Sequence, residues 1–230
     1  MNTSTLIQRG LSAGAIALVL AACENTPPPP SAIEQLADEY LNELMASDSL
    51  MGTYYSIEGA RHDRLPDNSL AGIAAWQAKE DTWLAELERI GAPAEIGSRD
   101  WVTHGLLKEQ LEGAAATRIC RDELWGASTT TSWHTWLPFV FDIQPLEPIE
   151  LRTQALARLG AVPTFIDNEI DNLREGLRLG YSAPRVTVKA VPDQVRALIG
   201  PDSIFLGPAA RSDDPDFQSA VAQIYNEEIT

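Results

Sequence analysis

Apolar positions recur every three to four residues along most of this chain, the spacing of helices with one buried side. Ile33, Leu36, Tyr40, Leu41, Leu44 and Met45 predict a helix over 32–46, opened by the capping-box pattern Ser31-Ala-Ile-Glu34. A turn-rich segment runs from Asp48 to Asn68. Ile73, Trp76, Trp83, Leu84, Leu87 and Ile90 then predict a helix over 70–90, capped by Asn68 or Ser69 and stopped by Gly91 and Pro93. Ser98 opens a third helix, about 99–119, with Trp101, Val102, Leu106, Leu111 and Ile119 partly in register and Gly105 and Gly113 weakening it. The period returns over 150–159 and 163–179, where Phe165, Ile166, Ile170, Leu173 and Leu177 form the expected buried stripe and Gly180 the C-terminal cap. Another start at 184–190 continues through 194–199, with Pro192 expected to kink or divide it. Asp214-Pro-Asp-Phe opens a last helix with Phe217, Val221, Ile224 and Tyr225 on one face, and that helix has no stop signal. Arg185-Val-Thr-Val-Lys189 is the best strand candidate and fits a helix start equally well. Residues 125–148 break the period. Trp125, Trp133, Trp136, Phe139 and Phe141, with Pro138, Pro145 and Pro148, predict a loop that drapes over the helices or lines a cleft. The expected fold is all-α: an irregular multi-helix array with a long aromatic, proline-rich loop.

The first 22 residues follow a different logic. Arg9 precedes an apolar run from Leu11 to Ala22, about a dozen residues, whereas a spanning helix needs about 20. A positive start, a short apolar core and small residues before a break are the marks of a secretory signal. Leu20-Ala21-Ala22-Cys23 resembles the lipobox of bacterial lipoproteins, in which the signal is cut before a cysteine that is then acylated. The expected organisation is a signal peptide over 1–22, a lipidated Cys23 with a proline-rich tether through residue 30, and a helical body over 31–230. Glu24 after the cysteine leans toward the outer membrane, facing the periplasm, in a bacterial cell envelope.

Composition narrows the classes. With 17 Lys+Arg against 33 Asp+Glu the formal net charge is −16, and removal of Arg9 with the signal leaves 16 against 33, or −17. Phosphate recognition wants a clustered basic surface, so no nucleic-acid partner is expected. The same charge disfavours anionic lipid headgroups, which leaves the lipid on Cys23 as the membrane partner. A 44% hydrophobic content argues against disorder, and two cysteines cannot staple a scaffold. Cys120 is expected to be a buried, inert thiol.

Catalytic patterns are scarce. The three histidines, His62, His104 and His134, are far apart in sequence, and no His-Glu-x-x-His pair or Cys-x-x-Cys is present. His62 reads as a solvated turn residue, His104 as a partly buried packing residue and His134 as a candidate cleft-lining residue. No Gly-x-Ser-x-Gly elbow accompanies Ser128, and no glycine-rich phosphate cradle exists. The chain is therefore expected to carry no catalytic residue, metal ligand or cofactor of its own.

Two segments add a resemblance. Arg61-His-Asp-Arg-Leu-Pro-Asp67 is a polar turn leading into a helix. Leu173-Arg-Glu-Gly-Leu-Arg-Leu-Gly-Tyr-Ser-Ala-Pro-Arg-Val186 ends one helix and starts the next. In this order they resemble the bacterial family called domain of unknown function 885, over essentially all of 31–230. The resemblance implies a large, exported helical protein, often a lipoprotein, similar to zincin-type metallopeptidases with a His-Glu-x-x-Pro-Gly-His element in the C-terminal half. That element is missing here, so the chain is expected to correspond to the N-terminal third of such a protein, an incomplete part of a larger helical fold that exposes apolar helix faces. It would supply scaffold and one cleft wall, through Arg185 or the aromatics Trp133 and Trp136 with His134. Zinc and a peptide-like substrate are implied only for the longer relatives. The alternative is a complete, non-catalytic lipoprotein that binds a ligand or partner through its aromatic loop.

Overall fold

The structure, a computed structural model, describes residues 29–229. The signal segment, Cys23 and the first part of the tether lie outside the described residues. Among those described there is no strand, and the chain is all-α.

Helices α1 (Ala32–Ser47), α3 (Leu70–Ile90) and α4 (Arg99–Thr117) pack together around Leu36, Trp83, Leu87, Leu107 and Leu111. The start of α1 is fixed twice. The Ser31 hydroxyl accepts from the Glu34 amide at 3.1 Å while the Glu34 carboxylate accepts from the Ser31 amide, and the same hydroxyl donates to Asp100 in the first turn of α4 at 3.0 Å. Two short 3-10 turns, 118–120 and 122–124, lead out of α4.

The second core gathers α5 (Trp133–Asp142), α6 (Glu150–Gly160), α7 (Val162–Leu179), the turn α10 (Gly207–Ala210) and α11 (Pro215–Ile224). Leu137, Val140, Phe141, Leu159, Val162, Phe165, Phe205, Phe217, Val221 and Tyr225 fill it. Between α7 and α10 lie α8 (Arg185–Val188) and α9 (Val191–Arg196). Helix α2 (Ser49–Tyr54) and the turn after it join the two cores: Leu50 and Leu65 belong to the second, while α2 follows directly on α1.

Several expectations change. Residues 133–142 are a helix and not part of a loop. His134, Leu137, Val140 and Phe141 recur at helical spacing and all four are buried, so packing of that stripe outweighs the interior Pro138. Residues 49–54 are also helical, opened by the Asp48 carboxylate accepting from the Leu50 amide at 2.9 Å. Of the two outcomes expected of Pro192, the chain shows division: α8 ends at Val188, and Pro192 sits in the first turn of α9, where its missing N–H costs nothing. Arg185–Val188 is a helical turn. On α4 the buried side carries His104, Leu107 and Leu111, while Trp101, Val102 and Leu106 face solvent, as does Ile119 beyond its end. The last helix loosens into a π-helical turn over Tyr225–Ile229.

The largest departure is α7. Its inward side carries Val162, Phe165, Asn172 and Gly176, whereas Ile170 and Leu177 of the expected stripe are exposed. The cause is the turn at Asn68. Its side-chain amide donates to the Phe165 carbonyl at 2.9 Å and the Glu169 carboxylate at 2.8 Å, and it accepts from Asn168 at 3.1 Å. Asn172 donates to the Asn68 carbonyl at 2.7 Å. These bonds hold the polar side of α7 inward and turn part of its apolar side outward. Further along, Gly176 meets the Leu124 carbonyl so closely that a Cβ there would lie 1.9 Å from the oxygen.

Candidate functional site

The polar segment 61–69, with His62 and Leu65 buried, is built around Arg158. This arginine stands at helical spacing with Ala155, Leu159 and Val162 and is fully buried. Its five N–H groups have five acceptors: Nε donates to the Arg64 carbonyl (3.0 Å), Nη1 to Thr53 Oγ1 (2.9 Å) and Gln144 Oε1 (2.6 Å), and Nη2 to the Ser49 carbonyl (3.2 Å) and Ser49 Oγ (2.8 Å). Among the described residues no carboxylate pairs with the guanidinium. Burial lowers its pKa to about 10, against the opposing pull of Asp63 and Asp48.

The turn is held from its other side too. His62 is buried, contrary to the solvated position expected of it. Its Nδ1 lies 2.9 Å from Thr53 Oγ1, its amide donates to Gln154 Oε1 at 2.6 Å, and its carbonyl accepts from Gln144 Nε2 at 3.2 Å. Asp63 pairs with Arg61 and Arg64. Partial burial pushes the Asp63 carboxyl up, but the hydrogen bonds and charges of the two arginines prevail and bring it to about 2.

Burial lowers the His62 pKa below its ordinary 6.5, and Arg158 adds to the effect while Asp63 opposes it. The folded imidazole therefore resists a proton that the unfolded chain accepts, and stability falls as pH drops below about 6.5. Asp63 acts only lower, losing its contribution as pH falls from 3.8 through about 2. The thermal midpoint of the full chain is expected to be lower at pH 5.5 than at pH 7.5, and His62→Asn is expected to reduce that difference. An unchanged difference in the variant would assign the titration to another group.

Beside this turn lies a cleft of about 810 Å³ between the end of α1, the first half of α3 and the end of α4. Arg64, Leu65, Asp67 and Asn68 of the turn form one wall, with Trp76, Lys79, Glu80 and Arg118 opposite. Glu80 accepts from Trp76 Nε1 at 2.8 Å and Arg118 Nη2 at 3.0 Å, and Arg118 Nη1 reaches Asp81 at 2.6 Å. Lys79 pairs with Glu43 at 2.5 Å. The lining thus combines apolar surface with charges of both signs, each cation held by a carboxylate. Sequence reasoning missed Arg158, Gln144, Asn68, Trp76, Glu80 and Arg118. For Arg158 the signal was a lone cation inside an apolar stripe.

The expected cleft residues lie elsewhere. Trp133, His134, Trp136 and Arg185 do not line this cleft. Trp133 is half-buried and meets the His134 ring edge-on at 5.8 Å. His134 Nε2 lies 3.1 Å from Gln194 Oε1, while its buried Nδ1 has no partner among the described residues. Trp136 packs edge-on against Phe165 at 5.7 Å, and Arg185 is exposed at the start of α8. Cys120 is exposed, correcting its expected burial, because the 3-10 turn after α4 leaves the packed face.

Zinc, which the resemblance implies for longer relatives, does not fit the residues present. Among the described residues no group of three or more His, Cys, Asp or Glu could hold a metal ion. His62 is engaged by Thr53, His134 faces Gln194 and His104 is buried in α4, so the three histidines serve three separate places. Among the described residues no helix is long and apolar enough to cross a membrane.

No curated protein matches the chain. The family model described as bacterial protein of unknown function (DUF885) matches residues 48–230, a span that includes the buried turn, the cleft wall beside it and the Gly176 contact. With most of its length matched, the chain belongs to the DUF885 family.

Proposed function

We propose that this chain is a bacterial lipoprotein, anchored through a lipid on Cys23 in the cell envelope, outer membrane facing periplasm, whose helical body holds a peptide-like ligand without hydrolysing it. The observation that carries the reading is the cleft beside Asn68. Its wall of Leu65, Ile73 and Trp76 lies next to Arg64, Lys79, Glu80 and Arg118. A peptide offers the matching mixture of apolar side chains and charges of both signs. The side chains of the turn that look reactive are otherwise engaged. His62 faces the Arg158 network, and Asp63 is clamped by two arginines, which makes it a poor general base near neutral pH. The chain thus serves as scaffold and cleft wall, as the resemblance to metallopeptidase-like relatives implies, and catalysis by it alone is not part of the proposal.

Two measurements test this. Labelled palmitate is expected to enter the full chain in a bacterial host, and Cys23→Ala is expected to abolish both label and membrane retention. The peptide Leu-Lys-Leu-Glu is expected to change the tryptophan fluorescence of the full chain with a Kd on the order of 100 μM, and Trp76→Phe to remove the change. A saturable change that survives Trp76→Phe would place binding outside this cleft, and no change in the wild type would remove the peptide reading.

A further inference from the structure

We propose that the outward face of α7 is the contact by which two copies of this chain associate, with the two α7 helices antiparallel. Ile166, Ile170, Leu173 and Leu177 are separated by four, three and four residues, the spacing of a two-helix seam. Ile170 and Leu177 are 40% and 68% exposed and Leu173 is partly so, while Ile166, at the end of the line, is partly exposed and also packs against the second core. The polar bonds around Asn68 hold this face outward, so it cannot roll into the core without breaking them.

What identifies the occupant as a second copy is the charge beside the seam. Asp167, Asp171, Arg174 and Arg178 follow the same four, three, four spacing on the solvent side. The first two are acidic and the last two basic, so the line reverses sign at its middle. In a parallel copy the two lines would lie on opposite sides of the seam and could not pair with each other. An antiparallel copy about a two-fold axis sets Asp167 against Arg174 of its mate, and Arg174 against Asp167, while Ile170 meets Leu173 and Ile166 meets Leu177. A two-fold contact must be self-complementary, and this line has that property. Arg174 reaches Asp171 at 3.0 Å with both side chains 73% exposed, a weak surface pair, whereas Arg178 is held by Glu175 through two hydrogen bonds and takes no part in the contact.

Four seam residues per helix make a small contact, near the lower limit for a specific interface, so the expected Kd is about 10 μM. Confinement to a membrane surface, should the proposed lipid anchor hold, would raise the local concentration. The test is the mass by light scattering of the full chain in mild detergent, under reducing conditions so that the exposed Cys120 cannot link two chains. A concentration-dependent dimer is expected. Leu177→Glu should weaken it at least tenfold with unchanged helix content, because residue 177 contributes little to the fold. Asp167→Arg and Arg174→Asp should each weaken it, and the double variant should recover it. A monomer at about 100 μM, a dimer indifferent to Leu177→Glu, or a double variant that fails to recover would overturn the proposal. The first of these outcomes would leave the face to a different protein.

Discussion

Arg158→Ala is expected to lower the unfolding free energy by about 4 kcal/mol, the sum of a buried cavity and acceptors left without donors. Gln144 Oε1 loses its donor, and the Ser49 and Arg64 carbonyls each lose one and keep another. The relief of a desolvated guanidinium offsets part of this, because an arginine whose pKa is held near 10 is itself costly to bury. Arg158→Lys is expected to recover little. An ammonium has three donors in place of five, and it cannot span Thr53, Gln144, Ser49 and Arg64 at once. In a chain of this size the alanine variant should melt roughly 10 °C lower. Urea denaturation is the check, with Arg196→Ala, on the surface, expected within about 0.5 kcal/mol of wild type. A loss below 1 kcal/mol for Arg158→Ala would mean that the turn is held by something other than this arginine.

The second large effect concerns a glycine that no turn requires. Gly176 lies inside α7, where alanine would ordinarily strengthen the helix. Here an added Cβ would stand 1.9 Å from the Leu124 carbonyl oxygen, and both partners are backbone. Gly176→Ala must therefore separate α7 from the 122–124 turn, at a cost of about 3 kcal/mol. Gly113 provides the opposite case on α4, with open space around its Cβ position, so Gly113→Ala is expected to stabilise by about 0.5–1 kcal/mol. Opposite signs for the same substitution in two helices, read by denaturant unfolding, would separate close packing from helix propensity. Two stabilising results would mean that the contact at Leu124 is not tight.

Helix spacing made much of the fold legible in advance. The capping box at Ser31, the cap at Ser69 and the stop at Gly91 bracket α1 and α3 where the pattern placed them. The period was less informative where polar groups go inward. On α7 the apolar stripe pointed to a buried face, but Asn68 needs four polar contacts from that helix, and satisfying them outweighs covering Ile170 and Leu177. On α5 four tryptophan and phenylalanine positions around Pro138 suggested a loop, although Leu137, Val140 and Phe141 already carried a helical repeat.

The candidate site was legible in one part. The polar turn 61–67 was singled out, but its partners were not, since Arg158 and Gln144 lie far along the chain. Arg158 resembles an ordinary charged helix position until α2 and the turn close over it. The same distance explains why His62 looked solvated and why Trp76 and Arg118 were not joined to the turn. These contacts give a structural role to both segments that carried the resemblance: the first packs around Arg158, and the second carries Gly176 against Leu124. Neither brings together a nucleophile, a base and an open site.

In the proposed role the chain holds a ligand and leaves its bonds intact. The most direct test of that role is the metal content of the purified full chain, measured together with peptide hydrolysis in the presence of added zinc. The account predicts zinc well below one ion per chain and no turnover of a peptide that the chain binds. One zinc per chain with hydrolysis lost in a histidine variant would contradict it.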